Sequence, residues 1–245
     1  PAPPRDQRAL HDERPPAIDA RPLYDDRWMF HGPAYQGVVS LDAMARDGIR
    51  GRLVSLDALG GLLDNAGQLL GYWVMEHAEL DRLAMPVMLE KVRFFSPEPP
   101  PGHTLDCTVW IERFTEIDVR ADVELSQGDK VFCRIEGWED RRFDSDERVW
   151  ALLRYPEKNL LATIDAEGRG LVKQPWKGAA SRDLLARRYL SEREREAHAR
   201  VDLRRQGEWL LGRMAVKDCA RKLLWDRGHG PIFPVEIEVE TDAEG

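Results

Sequence analysis

The pattern of hydrophobic and polar positions predicts strands, then one long helix, then more strands. Alternating apolar and polar residues indicate strands over 37–41 and 49–56. Apolar residues at steps of three and four then predict a helix from Leu59 to Val74. Further strands are predicted to begin at Pro86, Leu105, Ile117 and Val131. This order suits an antiparallel sheet curled round a central helix over residues 23–145.

The flanking stretches have different patterns. Residues 1–22 hold six prolines among charged residues, which predicts an extended linker. Residues 146–180 show no clear periodicity and are assigned as a connecting region. From 181 to 245 the pattern becomes helical, and Ser191 with Glu194 predicts a capping box at a helix start. The predicted fold class is α+β: a hotdog, meaning an antiparallel sheet wrapped round a central helix, and then a C-terminal α/β segment.

Composition narrows the class of protein. Of the 245 residues 42% are hydrophobic, and the net charge is −8, which argues against disorder and against non-specific nucleic-acid binding. No stretch approaches the roughly 18 apolar residues of a membrane span, and the N-terminal residues lack a signal-peptide core, so we expect a cytoplasmic protein with no membrane partner. The three cysteines lack CxxC spacing, which predicts reduced thiols. The charge is segregated, because residues 181–230 hold 13 Lys and Arg against 8 Asp and Glu.

The central helix carries the first candidate chemistry. Asp64 and Gln68 are four residues apart, about 40° from each other round the helix, and Gly60, Gly67 and Gly71 lie on the same side. Glycine costs roughly 1 kcal/mol relative to alanine in a helix, so this cluster indicates that a strand or a ligand packs closely there. A carboxyl group beside an amide could exchange a proton while the amide holds an oxygen. The alternative is that Asp64 lies on the solvated face of an amphipathic helix.

The motifs around this helix resemble the C-terminal half of a polyketide synthase dehydratase domain, a double hotdog. The similarity runs through YDDRWMFHGPAYQ, LLDNAGQLLGYWV, PPGHTL and GWEDRRF, in that order. It implies loss of water from 3-hydroxyacyl groups on an acyl carrier protein, without a cofactor, in a homodimer within a larger synthase. It also implies that Asp64 protonates the departing hydroxyl and that Gln68 orients Asp64.

The source of the catalytic base is the point at which the sequence departs from that family. The family uses a His in an HxxxGxxxxP motif, and this sequence contains no such motif. His31 stands in the HGPAYQ segment, where the resemblance implies that it shapes the pocket or fixes the strand, with a role as catalytic base as the alternative. We expect the base to come from residues before Pro1 or from another chain; otherwise the domain is a noncatalytic acyl-binding or dimerisation module.

A second set of candidates lies in the C-terminal segment. Arg213, Lys217 and Arg221 are spaced by four on one predicted helix, where they could hold phosphates or form a solvated basic face. An acidic acyl carrier protein is a suitable partner for such basic helices.

The same segment resembles part of a 4′-phosphopantetheinyl transferase, over YLSEREREAHARVDLRRQGEWLLGRMAVKDCARKLLW. This resemblance implies that Arg213 and Lys217 bind coenzyme A and that Asp218 binds Mg²⁺. Asp165, within IDAE, is the candidate second metal ligand, although IDAEG equally predicts a turn between strands. A dehydratase half followed by a transferase-like segment resembles iterative polyketide synthases of the enediyne type.

Overall fold

The computed structural model describes residues 3–240, and its contacts divide the chain into two units with a boundary between Phe143 and Asp144. Pro1, Ala2 and the final TDAEG stretch, which the predicted segments include, lie outside the described residues. Among the described residues no helix is long and apolar enough to cross a bilayer, and the cytoplasmic location stays a prediction.

The first unit is a six-stranded antiparallel sheet with one long helix. Its elements are α1 (Pro22–Asp25), β1 (Val38–Ala45), β2 (Gly48–Val54), α2 (Gly61–His77), β3 (Leu83–Phe94), β4 (Thr104–Phe114), β5 (Asp118–Gln127) and β6 (Lys130–Phe143). The strand order is β1-β2-β4-β5-β6-β3. The predicted strands and helix are present in the predicted order, and the arrangement is consistent with the hotdog fold.

Helix α2 packs on the sheet through its apolar stripe. Leu62, Ala66, Leu69 and Leu70 are all nearly inaccessible to solvent, and each buried leucine contributes roughly 1.5–3 kcal/mol. Gly51 of β2 permits the close approach, because a Cβ there would lie 3.1 Å from Leu69 Cδ1 and even closer to the backbone of β1.

The N-terminal segment is a correction to the predicted linker, because it lies along the sheet instead of standing apart from it. The contacts include Arg5–Asp106 at 3.0 Å, Arg8–Asp122 at 3.0 Å and a backbone bridge between Arg14 and Met44. The strands β4 and β5 present acidic side chains to which the arginines of this segment bind. Its composition correctly indicates that it forms no core of its own, but it does not reveal that a neighbouring sheet supplies partners.

The second unit is mostly helical. Its elements are α3 (Glu147–Arg154), β7 (Thr163–Ile164), β8 (Gly170–Leu171), α4 (Ala179–Tyr189), α5 (Glu192–Arg200) and α6 (Gln206–Asp226). The predicted capping box is confirmed: Glu194 N donates to Ser191 Oγ at 3.3 Å, and Ser191 N donates to Glu194 Oε2 at 2.9 Å. Helix α3 and the β7–β8 hairpin occupy the region assigned as a connection; both are too short to show a clear period in the sequence.

The three cysteines agree with the prediction of reduced thiols. Cys107 and Cys133 are buried in the first unit, Cys219 is half-buried in the second, and none forms a disulfide. Burial raises the pKa of the Cys133 thiol to about 12, which keeps it protonated and unreactive.

Candidate active site

Three predicted residues of the first unit come together at one end of α2. Gln68 Nε2 donates to Asp64 Oδ2 at 2.7 Å, as the spacing of four in the helix predicts. His31, from the segment before β1, places Nε2 at 3.4 Å from the same Asp64 oxygen. Gln68 is only 2% exposed, whereas the Asp64 side chain is 36% exposed. This side of α2 is therefore a partly enclosed polar site, in which Asp64 also keeps contact with solvent.

Gln68 is held in one orientation by its surroundings. Its Oε1 accepts from the Tyr24 hydroxyl at 2.8 Å, and its Nε2 also donates to the Tyr35 carbonyl at 2.8 Å. The Tyr24 hydroxyl in turn accepts from Val38 N at 2.9 Å, so the start of β1 is tied to the site. Burial raises the pKa of Tyr24 to about 12, so its hydroxyl stays neutral. Gln68 is thus suited to orient Asp64.

The environment of Asp64 favours its ionised form. Burial raises the pKa of Asp64, but the hydrogen bonds from His31 and Gln68 outweigh burial and lower that pKa below its usual value. Asp64 also lies in the first turn of α2, where the positive end of the helix dipole favours a carboxylate. His31 stacks on Phe30 with ring centroids 4.3 Å apart, and its buried Nδ1 has no hydrogen-bond partner among residues 3–240. The imidazole therefore presents Nε2, and not Nδ1, to the carboxylate.

These polar groups lie on the wall of an apolar cavity of about 570 Å³. Besides His31, Asp64 and Gln68, its lining includes Met29, Met75, Leu83, Met85, Leu89 and Trp138. Such a cavity, with a few convergent polar groups, is typical of a small-molecule binding site.

The helix glycines make room for side chains that form this cavity. A Cβ on Gly67 would lie 2.8 Å from Trp138 Cζ2, and one on Gly71 would lie 3.6 Å from Met29 Cε. Of the two explanations left open, close packing by a neighbouring element therefore accounts for these positions. Gly60 is a correction: it precedes the helix as its N-cap, with φ of +72°, a left-handed conformation that glycine adopts without strain.

The structure adds a residue that sequence reasoning missed. Asp140 of β6 is 2% exposed, lines the cavity, and accepts a hydrogen bond from Trp138 Nε1 at 2.6 Å. Burial raises the pKa of Asp140 to about 6, although the bond from Trp138 opposes this. The signal was available in GWEDRRF, because residues two apart on a strand share a face and Asp140 therefore faces inward with Trp138.

The raised pKa of Asp140 predicts a pH-dependent stability difference. A folded-state pKa above the unfolded value of 3.8 contributes stability that is fully present below 3.8 and is lost as pH rises through about 6. Between pH 4 and pH 7, urea unfolding should show wild type losing roughly 2–2.5 kcal/mol relative to Asp140→Asn, since one pKa unit corresponds to about 1.4 kcal/mol and the rest of the effect falls outside this pH range. A difference between the two proteins that does not change with pH would contradict the assignment.

The predicted phosphate-binding residues of the second unit lie in its interior. Lys217 and Arg221 are fully buried, so they form neither an exposed phosphate site nor a solvated basic face. The Lys217 ammonium pairs with the Glu194 carboxylate and also donates to the Tyr189 carbonyl at 2.6 Å. These two basic residues are therefore unavailable to coenzyme A or to a docked carrier protein.

Asp218 does not fit a magnesium ligand. Its Oδ1 pairs with Arg221 Nη1 at 3.0 Å, and its Oδ2 accepts from Leu161 N at 2.8 Å and Ala162 N at 2.9 Å. Burial raises the pKa of Asp218, and the Arg221 guanidinium and these N–H donors partly offset that rise. Both oxygens are thus used within the fold.

The remaining transferase candidates do not complete a site. Asp165 lies in the exposed β7–β8 turn, where it pairs with Arg169 at 2.7 Å, so the turn is the correct interpretation of IDAEG. Arg213 stacks over the Trp209 ring at 4.7 Å and donates to the Val239 carbonyl. Within residues 3–240 no three His, Cys, Asp or Glu side chains lie close enough to hold a metal ion. The residues present therefore do not fit Mg²⁺, and no reaction step is assigned to it or to coenzyme A.

Comparison with solved structures shows low similarity. A trans-AT polyketide synthase dehydratase domain from Brevibacillus brevis is 16% identical with a TM-score of 0.46, covering 58% of this chain and 54% of that one. The RzxB dehydratase domain from Pseudomonas fluorescens is 18% identical with a TM-score of 0.41, covering 50% and 48%. The dehydratase domain from the CurJ module of the curacin synthase is 14% identical with a TM-score of 0.44, covering 52% and 49%. These values are too low to transfer an activity, and the chain spans about half the length of these solved dehydratases.

Comparison with protein families gives a more specific result. No curated protein matches the chain. Residues 61–148 match the family described as polyketide synthase dehydratase N-terminal domain. The match includes Asp64, Gln68 and Asp140, whereas His31 lies before it. The description names the N-terminal domain, so the predicted position in the C-terminal half stays a prediction, and these comparisons do not support the transferase-like or enediyne-type resemblance. The part of this chain from α2 to the start of α3 is thus similar to a polyketide synthase dehydratase domain.

Proposed function

We propose that the first unit removes water from 3-hydroxyacyl thioesters on an acyl carrier protein, as part of a polyketide synthase dehydratase. The observation that carries this proposal is the meeting of His31 and Asp64 at 3.4 Å on the wall of an apolar cavity. The family match over residues 61–148 supports it. Loss of water needs only proton transfers, so the proposed reaction requires no cofactor.

Two proton transfers accompany the reaction. A base takes a proton from C2, the C3–O bond breaks, and an acid gives a proton to the departing oxygen, which leaves as water beside the new C2–C3 double bond. In the proposed roles the neutral His31 imidazole is the base and the Asp64 carboxyl group is the acid. Gln68 orients Asp64 through its hydrogen bond to Oδ2.

Because the pKa of Asp64 is lowered, its role as the acid depends on its contact with His31. At neutral pH Asp64 is ionised, so it must receive a proton before it can act as the acid. In the proposed sequence Oδ2 receives this proton from His31 Nε2, 3.4 Å away, which gives the neutral base and the neutral acid together. An acyl chain that displaces water favours this form, because separated charges lose solvation. After water loss the protonated imidazole can return a proton to the carboxylate.

An exposed apolar strand at the edge of the sheet supports a homodimer. Strand β3 ends the sheet in the described residues, and it carries the exposed apolar side chains Val87, Met88, Leu89 and Phe94. A long apolar edge strand is normally covered by another chain or element. A homodimer within a larger synthase would cover it.

The proposal is tested by adding a 3-hydroxyacyl pantetheine thioester to the intact protein and following the double bond by ultraviolet absorbance. His31→Gln should lower the rate by about 10²-fold or more, because glutamine cannot accept the C2 proton. His103→Gln is the matched control, since His103 is exposed in the loop before β4. Full activity of His31→Gln would remove His31 from the mechanism, and no product from wild type would reject the function.

A second candidate is a noncatalytic acyl-binding module. One observation favours it: with Asp64 ionised, the proton that the acid must donate is not on that carboxyl group at rest. This candidate predicts that the same thioester binds and is recovered intact after long incubation.

A further inference from the structure

One carboxyl group in the cavity has no part in the proposed water loss. Asp140 is 2% exposed and its Oδ1 accepts from Trp138 Nε1 at 2.6 Å. Its Oδ2 makes no hydrogen bond or ion pair to any residue within 3–240. The side chain lines the same cavity as His31 and Asp64. Asp140 is thus nearly inaccessible as a whole, while its Oδ2 keeps a little accessible surface, lacks a protein partner and belongs to a side chain on the cavity wall.

A chain that fills the cavity would bury Oδ2, and this burial is costly unless the chain itself supplies the missing partner. Buried polar groups are normally hydrogen-bonded, and an unpaired one destabilises the fold. Trp138 packs against Gly67 of α2 and, through its Nε1, fixes the position of Oδ1. Asp140 therefore cannot relieve the cost by turning away without breaking that bond.

We propose that Asp140 binds a hydroxyl group of the acyl chain, so that the cavity selects hydroxylated acyl thioesters over saturated ones. This hydroxyl is distinct from the one that leaves as water, which the His31–Asp64 pair receives. A hydroxyl group suits this site because it can donate to a carboxylate and accept from a neutral carboxyl group. With a pKa of about 6, Asp140 populates both forms near neutral pH.

The size of the cavity agrees with a chain that extends beyond the reacting carbons. Its volume of about 570 Å³ has room for roughly 15–20 non-hydrogen atoms at about 30 Å³ each. The rest of the lining is mainly apolar, so a saturated chain would be accommodated everywhere except at Asp140. The inference rests on the proposed function only in that this cavity holds an acyl chain.

The test measures equilibrium binding of acyl thioesters to the intact protein. Every protein in this test carries Asp64→Asn, which blocks turnover. The probes are the decanoyl thioester of pantetheine and decanoyl thioesters with one hydroxyl at successive carbons beyond C3. We expect one hydroxylated probe to bind about 10-fold or more tightly than the saturated probe, because only that probe satisfies Asp140.

Variants of Asp140 identify the origin of the preference. Asp140→Leu should abolish the preference for the hydroxylated probe and strengthen binding of the saturated probe. Asp140→Asn retains hydrogen-bonding groups and should keep part of this preference. Glu139→Gln, the next residue on β6 and on the opposite face, is the control and should keep the full preference. Equal binding of all probes, or an unchanged preference in Asp140→Leu, would overturn the inference.

Binding and turnover separate this inference from the proposed function. Double-bond formation by the protein with its native Asp64, combined with no hydroxyl preference, overturns only the role of Asp140. A hydroxyl preference without any double-bond formation supports Asp140 and rejects dehydration. Failure of every thioester to bind rejects both.

Discussion

Asp64→Asn is expected to lower the rate of water loss by about 10²–10⁴-fold, the usual contribution of a positioned acid or base. Asparagine has nearly the same size and can still accept the hydrogen bond from Gln68, so the site should keep its shape. It cannot give a proton to the departing hydroxyl. It also cannot take the proton from His31, so the step that prepares the neutral pair is lost as well.

The effect should appear in turnover more than in binding. Initial rates of double-bond formation are compared at saturating 3-hydroxyacyl thioester, and binding of a saturated thioester is measured separately. Asp57→Asn is the matched control, because Asp57 is exposed in the loop just before α2. Asp64→Asn with wild-type turnover would show that Asp64 has only a structural role. Equal losses in both variants would point to a damaged fold instead of lost chemistry.

Asp218→Ala is expected to destabilise the second unit by about 3–5 kcal/mol, the usual cost of removing one partner of a buried ion pair. The substitution leaves the Arg221 guanidinium buried without its carboxylate, although it keeps its hydrogen bonds to the Pro156 and Ile232 carbonyls. It also leaves the N–H groups of Leu161 and Ala162 without their acceptor. A loss of this size is a large part of the total stability of a typical domain.

This loss of stability is measured by urea unfolding, with hydrogen exchange of the α6 amides as the probe of the second unit. Asp226→Ala is the control on the same helix: Asp226 is exposed and forms a surface ion pair with Lys222, so the change should be under about 0.5 kcal/mol. The transferase hypothesis makes the opposite prediction for Asp218→Ala, namely that labelling of a carrier protein by coenzyme A disappears while the fold stays intact. A stable Asp218→Ala protein would therefore contradict a structural role for Asp218.

The local patterns of the sequence were sufficient for the elements and for part of the site. Apolar residues at steps of two or of three and four depend only on the geometry of a strand or a helix, so the strands and α2 were predictable in order. The Asp64–Gln68 contact and the Ser191–Glu194 capping box were predictable for the same reason, since each joins residues within one turn of helix.

The ion-pair partners of the basic residues in α6 were not predictable from such local patterns. Lys217 and Arg221 have the spacing of a basic helix face, yet Glu194 and Asp218 neutralise both inside the fold. Periodicity shows on which face of its own helix a side chain lies, but it does not show which side chains of other elements contact that face. An exposed and a buried row of cations therefore look alike in the sequence.

The sequence alone determined that this protein has a strand–helix–strand core with a carboxyl and an amide one turn apart on its helix. Only the tertiary structure decided that His31 meets Asp64, that Asp140 faces the same cavity, and that the cations of α6 are interior. The reason is the range of the forces involved. Hydrogen bonding and side-chain direction within one element depend on near neighbours, whereas burial and pairing depend on residues that the folded chain brings together from distant positions.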